Sequence, residues 1–92
     1  MKYITTWAAL PGATAECVEK FFAGDATPEP DVTVLGRWHK VDCSGGFALS
    51  ETDNPKSIYK FAAKWADVME IHVDVVIDEA DAEPILAAVF KK

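Results

Sequence analysis

The chain has 92 residues, which is enough for one domain with a modest hydrophobic core. Its 15 acidic and 9 basic side chains give a formal net charge of −6, so most of the surface repels nucleic acids and anionic membranes. Half of the residues are hydrophobic, which excludes a disordered chain, and the two cysteines and two histidines fall in no zinc-binding pattern.

The first part of the chain predicts a strand, a helix and a second strand. Residues 2–8 are rich in β-branched and aromatic side chains and precede a Pro-Gly turn, as expected of a strand. Thr14 is a suitable N-cap for a helix that ends near Gly24. A loop with two prolines over residues 25–31 leads to a strand over residues 32–39.

The middle of the chain returns as a third strand and a second helix. The Cys-Ser-Gly-Gly segment at 43–46 predicts a turn, and residues 47–52 predict a strand. Asn54 is placed to cap a helix whose first residue is Pro55. This helix has one apolar stripe, formed by Ile58, Phe61, Ala62 and Trp65.

The last part of the chain predicts a fourth strand and a third helix. Residues 69–77 alternate in polarity and predict a strand, which an acidic connector over residues 78–81 follows. Pro84 fits the first turn of a terminal helix, and Lys91 and Lys92 suit the negative end of its dipole.

The element order β-α-β-β-α-β-α predicts the fold. Two split β-α-β units make an α+β ferredoxin-like sandwich, here followed by a C-terminal helix, over the single domain 1–92. Right-handed crossovers give the strand order 4-1-3-2 with antiparallel neighbours and helices on one face. The other face would be bare and apolar in a monomer, so we expect a homodimer through it. The alternative is that the last helix covers this face.

Several short segments resemble one protein family. They are Leu35-Gly36-Arg37-Trp38-His39, Gly45-Gly46-Phe47-Ala48, Glu51-Thr52-Asp53 and Trp65-Ala66-Asp67. The family consists of small, mainly bacterial proteins classed as a domain of unknown function, and it is similar to the dimeric α/β-barrel superfamily. That superfamily includes cofactor-free monooxygenases, isomerases, haem-degrading enzymes and proteins without a known activity. The resemblance therefore implies the fold and a dimer, and it leaves the chemistry open.

The residues with the clearest chemical potential lie where the first two strands end. His39 could exchange a proton near neutral pH, and we take it as the candidate catalytic residue. Arg37 lies two residues earlier, on the same sheet face, and could bind an anionic oxygen. Parallel first and second strands bring Trp7 to the same end as a possible pocket wall. We expect a pocket containing these three residues on the open sheet face, with Trp38 on the opposite face beneath a helix.

His72 is a further candidate binding residue, on the fourth strand. The second and fourth strands are the two edges of the predicted sheet, so His72 should not contact His39 within one protomer. A partner subunit could bring the two histidines closer. The alternative is an exposed or dimer-facing histidine without a role in binding.

Two functions fit these residues, and the sequence does not decide whether the protein is an enzyme. The first is a small-molecule pocket, in which a cofactor-free enzyme such as a monooxygenase or isomerase would act on a polar or aromatic compound. The second is a non-catalytic binding or interaction module that dimerises. In both, we expect no metal or other cofactor, no nucleic-acid or membrane partner, and free cysteines. We also expect a cytoplasmic location, because the first residues are too short and too polar a run for a signal peptide.

Overall fold

A four-stranded antiparallel sheet organises the fold in this computed structural model, which describes residues 1–91. The elements in chain order are β1 (Lys2–Ala9), α1 (Thr14–Phe22), β2 (Thr33–His39), β3 (Gly45–Glu51), α2 (Pro55–Trp65), β4 (Met69–Val76) and α3 (Glu79–Phe90). The strands lie in the order β2-β3-β1-β4, and every neighbouring pair is antiparallel. The α+β class and the strand order thus agree with the prediction from the sequence.

The starts of the first two helices test the predicted caps. The side chain of Asn54 accepts a hydrogen bond from the Lys56 backbone N–H at 3.2 Å, and Pro55 is the first helical residue, as predicted. The prediction for α1 was wrong by one residue. Ala13 occupies its N-cap position without a side-chain hydrogen bond, and Thr14 is already helical.

The start of α3 also differs from the prediction. The helix begins at Glu79, so the expected acidic connector forms its first turn and Pro84 lies inside the helix rather than in the first turn. Glu79 and Asp81 suit this turn because their charges interact favourably with the positive end of the helix dipole. Lys91 follows the last helical residue, and Lys92 lies outside the described residues. None of the helices in residues 1–91 has the length and apolar character needed to cross a bilayer.

Strand pairing places twelve residues in three rows on one face of the sheet. The first row contains His39, Gly46, Trp7 and Ile71; the second contains Arg37, Ala48, Thr5 and Val73; the third contains Val34, Ser50, Tyr3 and Val75. We call this the helix face, because α1 and α2 lie over it, and the opposite side the open face. Neighbours within a row are about 4.8 Å apart, and adjacent rows are about 7 Å apart.

The hydrophobic core is small and lies to one side of the helix face. Cys17, Trp65 and Val68 form a buried cluster where α1 and α2 meet the start of β4. Among the described residues, no large side chain is completely buried. The helices therefore do not close tightly over the whole sheet, and this leaves room beneath them.

The molecule is longer than a compact domain of its size. Its radius of gyration is 15.7 Å, and its principal extents are 54 × 29 × 18 Å. A compact domain of this length would have a radius of gyration of about 12 Å. Helix α3 contributes to the difference, since its apolar residues Ile85, Leu86 and Phe90 are 58%, 55% and 78% exposed. The alternative in which α3 covers the apolar sheet face of its own chain is thus wrong.

Candidate functional site

A cavity of about 530 Å³ lies between the helix face of the sheet and helices α1 and α2. Its existence follows from the small residues that β3 places on this face, which are Gly46, Ala48 and Ser50; the last two line the cavity directly. These small residues leave a gap under the helices that side chains of ordinary size would fill. Aromatic residues supply much of the remaining wall; they are Trp7, Phe21, Phe22, Phe61 and Trp65.

His39 lies at the first-row end of this cavity, between two aromatic rings. The ring centroid of Trp7 is 5.8 Å away and that of Phe21 is 6.1 Å away, both edge-to-face. The Trp7 indole rests over Gly46, where a Cβ atom would approach its Cζ2 to 2.7 Å. His39 is exposed, and these two ring contacts place its imidazole at the open edge of the cavity.

Arg37 lines the second row of the same cavity. Its Nη2 donates a hydrogen bond to the backbone carbonyl of Ala26 at 3.0 Å. A guanidinium has five N–H donors, so the group that holds this loop can also donate to a ligand. The two residues are close enough for one small molecule to contact both, because His39 and Arg37 lie in adjacent rows.

The segment between α1 and β2 closes one side of the cavity and is tied to α2. The Trp65 indole N–H donates to the carbonyl of Asp25 at 3.3 Å, and Lys64 pairs with Glu29 at 3.1 Å. The hydrogen bond from Lys64 holds the pKa of Glu29 below its ordinary value of 4.5. These contacts give the cavity a defined wall at neutral pH.

The predicted face of this site was wrong. His39, Arg37 and Trp7 do lie together at one end of the sheet, but on the helix face and not on the open face. Register decides this, because Arg37 pairs with Ala48 and thereby shares the face that α1 and α2 cover. Trp38 correspondingly lies on the open face, opposite to His39 as predicted, but it is not beneath a helix.

The open face carries an aromatic pair and His72. Trp38 stacks on Phe47 with ring centroids 5.1 Å apart, and the two side chains are 51% and 41% exposed. His72 lies in the same cross-strand row and is 3.3 Å from a carboxylate oxygen of Glu70. The structure thus separates His72 from the cavity and places it among the exposed residues of the open face.

Two hydroxyl residues in the cavity were missed by the sequence reasoning. Ser50 is 7% exposed and lines the third row, and Thr5 lines the second row. The signal was available in the alternation of β3, since Ser50 shares the face of Gly46 and Ala48. Within the described chain, no group of three His, Cys, Asp or Glu side chains is close enough to hold a metal ion.

The comparisons with known proteins agree with this architecture. Residues 1–90 match the family described as "Domain of unknown function (DUF3303)". The chain belongs to this family. No curated protein matches it significantly. The solved structure of Rv0793 from Mycobacterium tuberculosis is similar, with a TM-score of 0.50 and 11% identity over 86% of this chain and 96% of that chain. At this identity the likeness supports the ferredoxin-like fold of the DUF3303 chain and carries no information about its chemistry.

Proposed function

We propose that this DUF3303 protein binds a flat, mainly apolar small molecule with one anionic oxygen group in the cavity under α1 and α2. The observation that carries the proposal is the cavity itself, which combines aromatic walls with His39 and Arg37 in adjacent rows. Pockets of this size and character are typical of small-molecule sites. Arg37 would pair with the anionic oxygen, and Trp7 would pack against the apolar body.

A direct test measures the binding of 2-naphthoate and of neutral 2-naphthylmethanol by isothermal titration calorimetry. We expect the carboxylate to bind more tightly, because a hydrogen bond to a charged group contributes about 1.5–3 kcal/mol. Arg37→Gln should lower the affinity for 2-naphthoate about tenfold or more and leave the alcohol almost unaffected. His72→Ala is the matched control on the open face and should bind as wild type does. Equal binding of both compounds by wild type and Arg37→Gln would contradict the proposal.

The position of His39 favours acid–base catalysis as a second step of the same proposal. Its imidazole can take a proton from a bound carbon acid, while Arg37 stabilises the oxyanion that forms. Exchange of the α-protons of 2-tetralone in D₂O, followed by NMR, tests this chemistry. Acceleration that His39→Ala removes and His72→Ala retains would support an isomerase-type enzyme. A rate equal to that in buffer would favour the non-catalytic binding module.

We further propose that two copies associate through the open face and α3, as in a dimeric α/β barrel. The chain exposes 6523 Å² of accessible surface, whereas a monomeric protein of 10.0 kDa exposes about 5,200 Å². The excess, about 1,300 Å², is larger than the roughly 800 Å² that each partner buries in a standard interface. The stacked Trp38 and Phe47 and the apolar helix α3 supply the surface for a second copy. The cytoplasmic location stays a prediction of the sequence.

A further inference from the structure

The far end of the cavity from His39 contains hydroxyl groups that the proposed function does not use. Ser50 lies in the third row and is buried, with 7% of its surface exposed. Thr5 lies in the second row, diagonally across the β1–β3 pair from Ser50. Both residues line the cavity, and among residues 1–91 no buried side-chain nitrogen or oxygen is left without a hydrogen-bond partner.

A ligand that fills this end of the cavity displaces the water that would otherwise reach these hydroxyls, so it must supply a hydrogen bond in its place or bind more weakly. The rest of the lining near them is apolar, with Val34, Val73 and Ile58 among the neighbours. A hydrogen-bonding atom of a ligand would satisfy the hydroxyls at this point. An entirely apolar end of a ligand would leave them unpaired and would be disfavoured.

The spacing of the rows sets the length of such a ligand. His39 pairs with Gly46, and Ser50 lies four residues further along β3, which is about 14 Å at about 3.4 Å per residue. Arg37 pairs with Ala48 and lies one row nearer to Ser50. Hydrogen bonds of about 2.8 Å at each end shorten the gap that the ligand itself must span. A single small ring is too short for this separation, and an elongated molecule of two fused rings is suited to it.

We infer that the ligand is two-ended, with an anionic oxygen at His39 and Arg37 and a hydroxyl or carbonyl oxygen at Ser50 and Thr5. This inference rests on the proposed function and adds a second polar subsite to it. The ligand class is therefore an elongated aromatic or alicyclic acid, phenol or enol with an oxygen substituent at its opposite end. Simple aromatic acids without that substituent fill the apolar body of the site but leave its inner end unsatisfied.

The test compares 2-naphthoate with 6-hydroxy-2-naphthoate, which shares its ring system and carboxylate and adds one hydroxyl at the far end. Calorimetry with the intact wild-type chain should show that the hydroxylated compound binds about 2- to 12-fold more tightly, the range expected for one net hydrogen bond. Ser50→Ala should remove most of this preference while leaving the affinity for 2-naphthoate unchanged. Thr5→Val, which keeps the shape of the side chain, should reduce the preference further in the double variant.

A matched control is Thr6→Val, which removes a hydroxyl from the neighbouring position of β1 on the open face. It should retain the full preference for the hydroxylated compound. If wild type binds both compounds equally, or if the preference survives in the Ser50→Ala Thr5→Val double variant, the second subsite is wrong while the proposed pocket stands. If neither compound binds at millimolar concentration, the proposed function and this inference are both wrong.

Discussion

Filling the cavity from its floor should make the protein more stable, which is the reverse of the usual effect of enlarging a buried side chain. Ala48 is 6% exposed and lies at the centre of the helix face, in the second row between Arg37 and Thr5. In a close-packed core, a larger residue here would overpack and destabilise the fold by about 1–3 kcal/mol. Above Ala48, however, is the cavity of about 530 Å³, so the substitution Ala48→Leu places its added atoms in empty space.

The expected gain follows from the atoms that become buried. Leucine has three more carbon atoms than alanine, and each fully buried methylene contributes about 0.8 kcal/mol. Because the cavity is partly open, we expect less than half of that sum, or about 1 kcal/mol. For a domain of this size, 1 kcal/mol raises the melting temperature by roughly 4–8 °C. The leucine also occupies the proposed site, so the affinity for 2-naphthoate should fall at least tenfold.

Differential scanning calorimetry and ligand titration of the same variant measure both effects. The control is Ala63→Leu on α2, which is exposed and outside the cavity lining, and it should change the stability by less than about 0.5 kcal/mol. A melting temperature of Ala48→Leu that falls by several degrees would show that the space above β3 is already filled in solution. That result would refute the cavity and with it the reasoning from the small residues of β3.

Three other predictions concern assembly, pH and redox state. Light scattering of the wild type at micromolar concentration should give twice the 10.0 kDa chain mass. The variant Trp38→Glu should keep the fold and give the mass of a monomer. A monomeric wild type would refute the dimer. Because the pKa of Glu29 is lowered by its hydrogen bond with Lys64, its contribution to stability is present above pH 4.5 and is lost as the pH falls through the lowered pKa. Glu29→Gln should therefore flatten the dependence of the melting temperature on pH between neutral and acid conditions, and an unchanged profile would count against this pair. Reducing agent should leave the melting temperature unchanged, since Cys17 and Cys43 are free thiols, and a drop would indicate a bridge between or within chains.

The sequence predicted the strands and their order because the relevant signals are local. β-branched and aromatic residues marked the first strand, and alternating polarity marked the fourth. Asn54 and Pro55 marked the start of α2, and the crossover rule then left one reasonable arrangement of the sheet. The start of α3 was misplaced because two signals disagreed there. Pro84 favours a helix whose first turn contains the proline. Glu79 and Asp81 favour a helix that begins at Glu79, because their charges then interact with the positive end of the helix dipole, and this is the start that the structure has.

The site was predicted on the wrong sheet face for a different reason, which concerns the size of side chains rather than their polarity. On β3, Phe47 and Leu49 lie on the open face, whereas Gly46, Ala48 and Ser50 lie under the helices. Judged by hydrophobicity alone, the larger residues belong in the core, and the site would then lie on the face left bare. The register places the small residues inside, so the interior is left with a cavity and the large apolar residues point outward. A central strand with this inverted distribution is thus a sequence signal for both halves of the proposal: a ligand site beneath the helices and a surface that a second copy would cover.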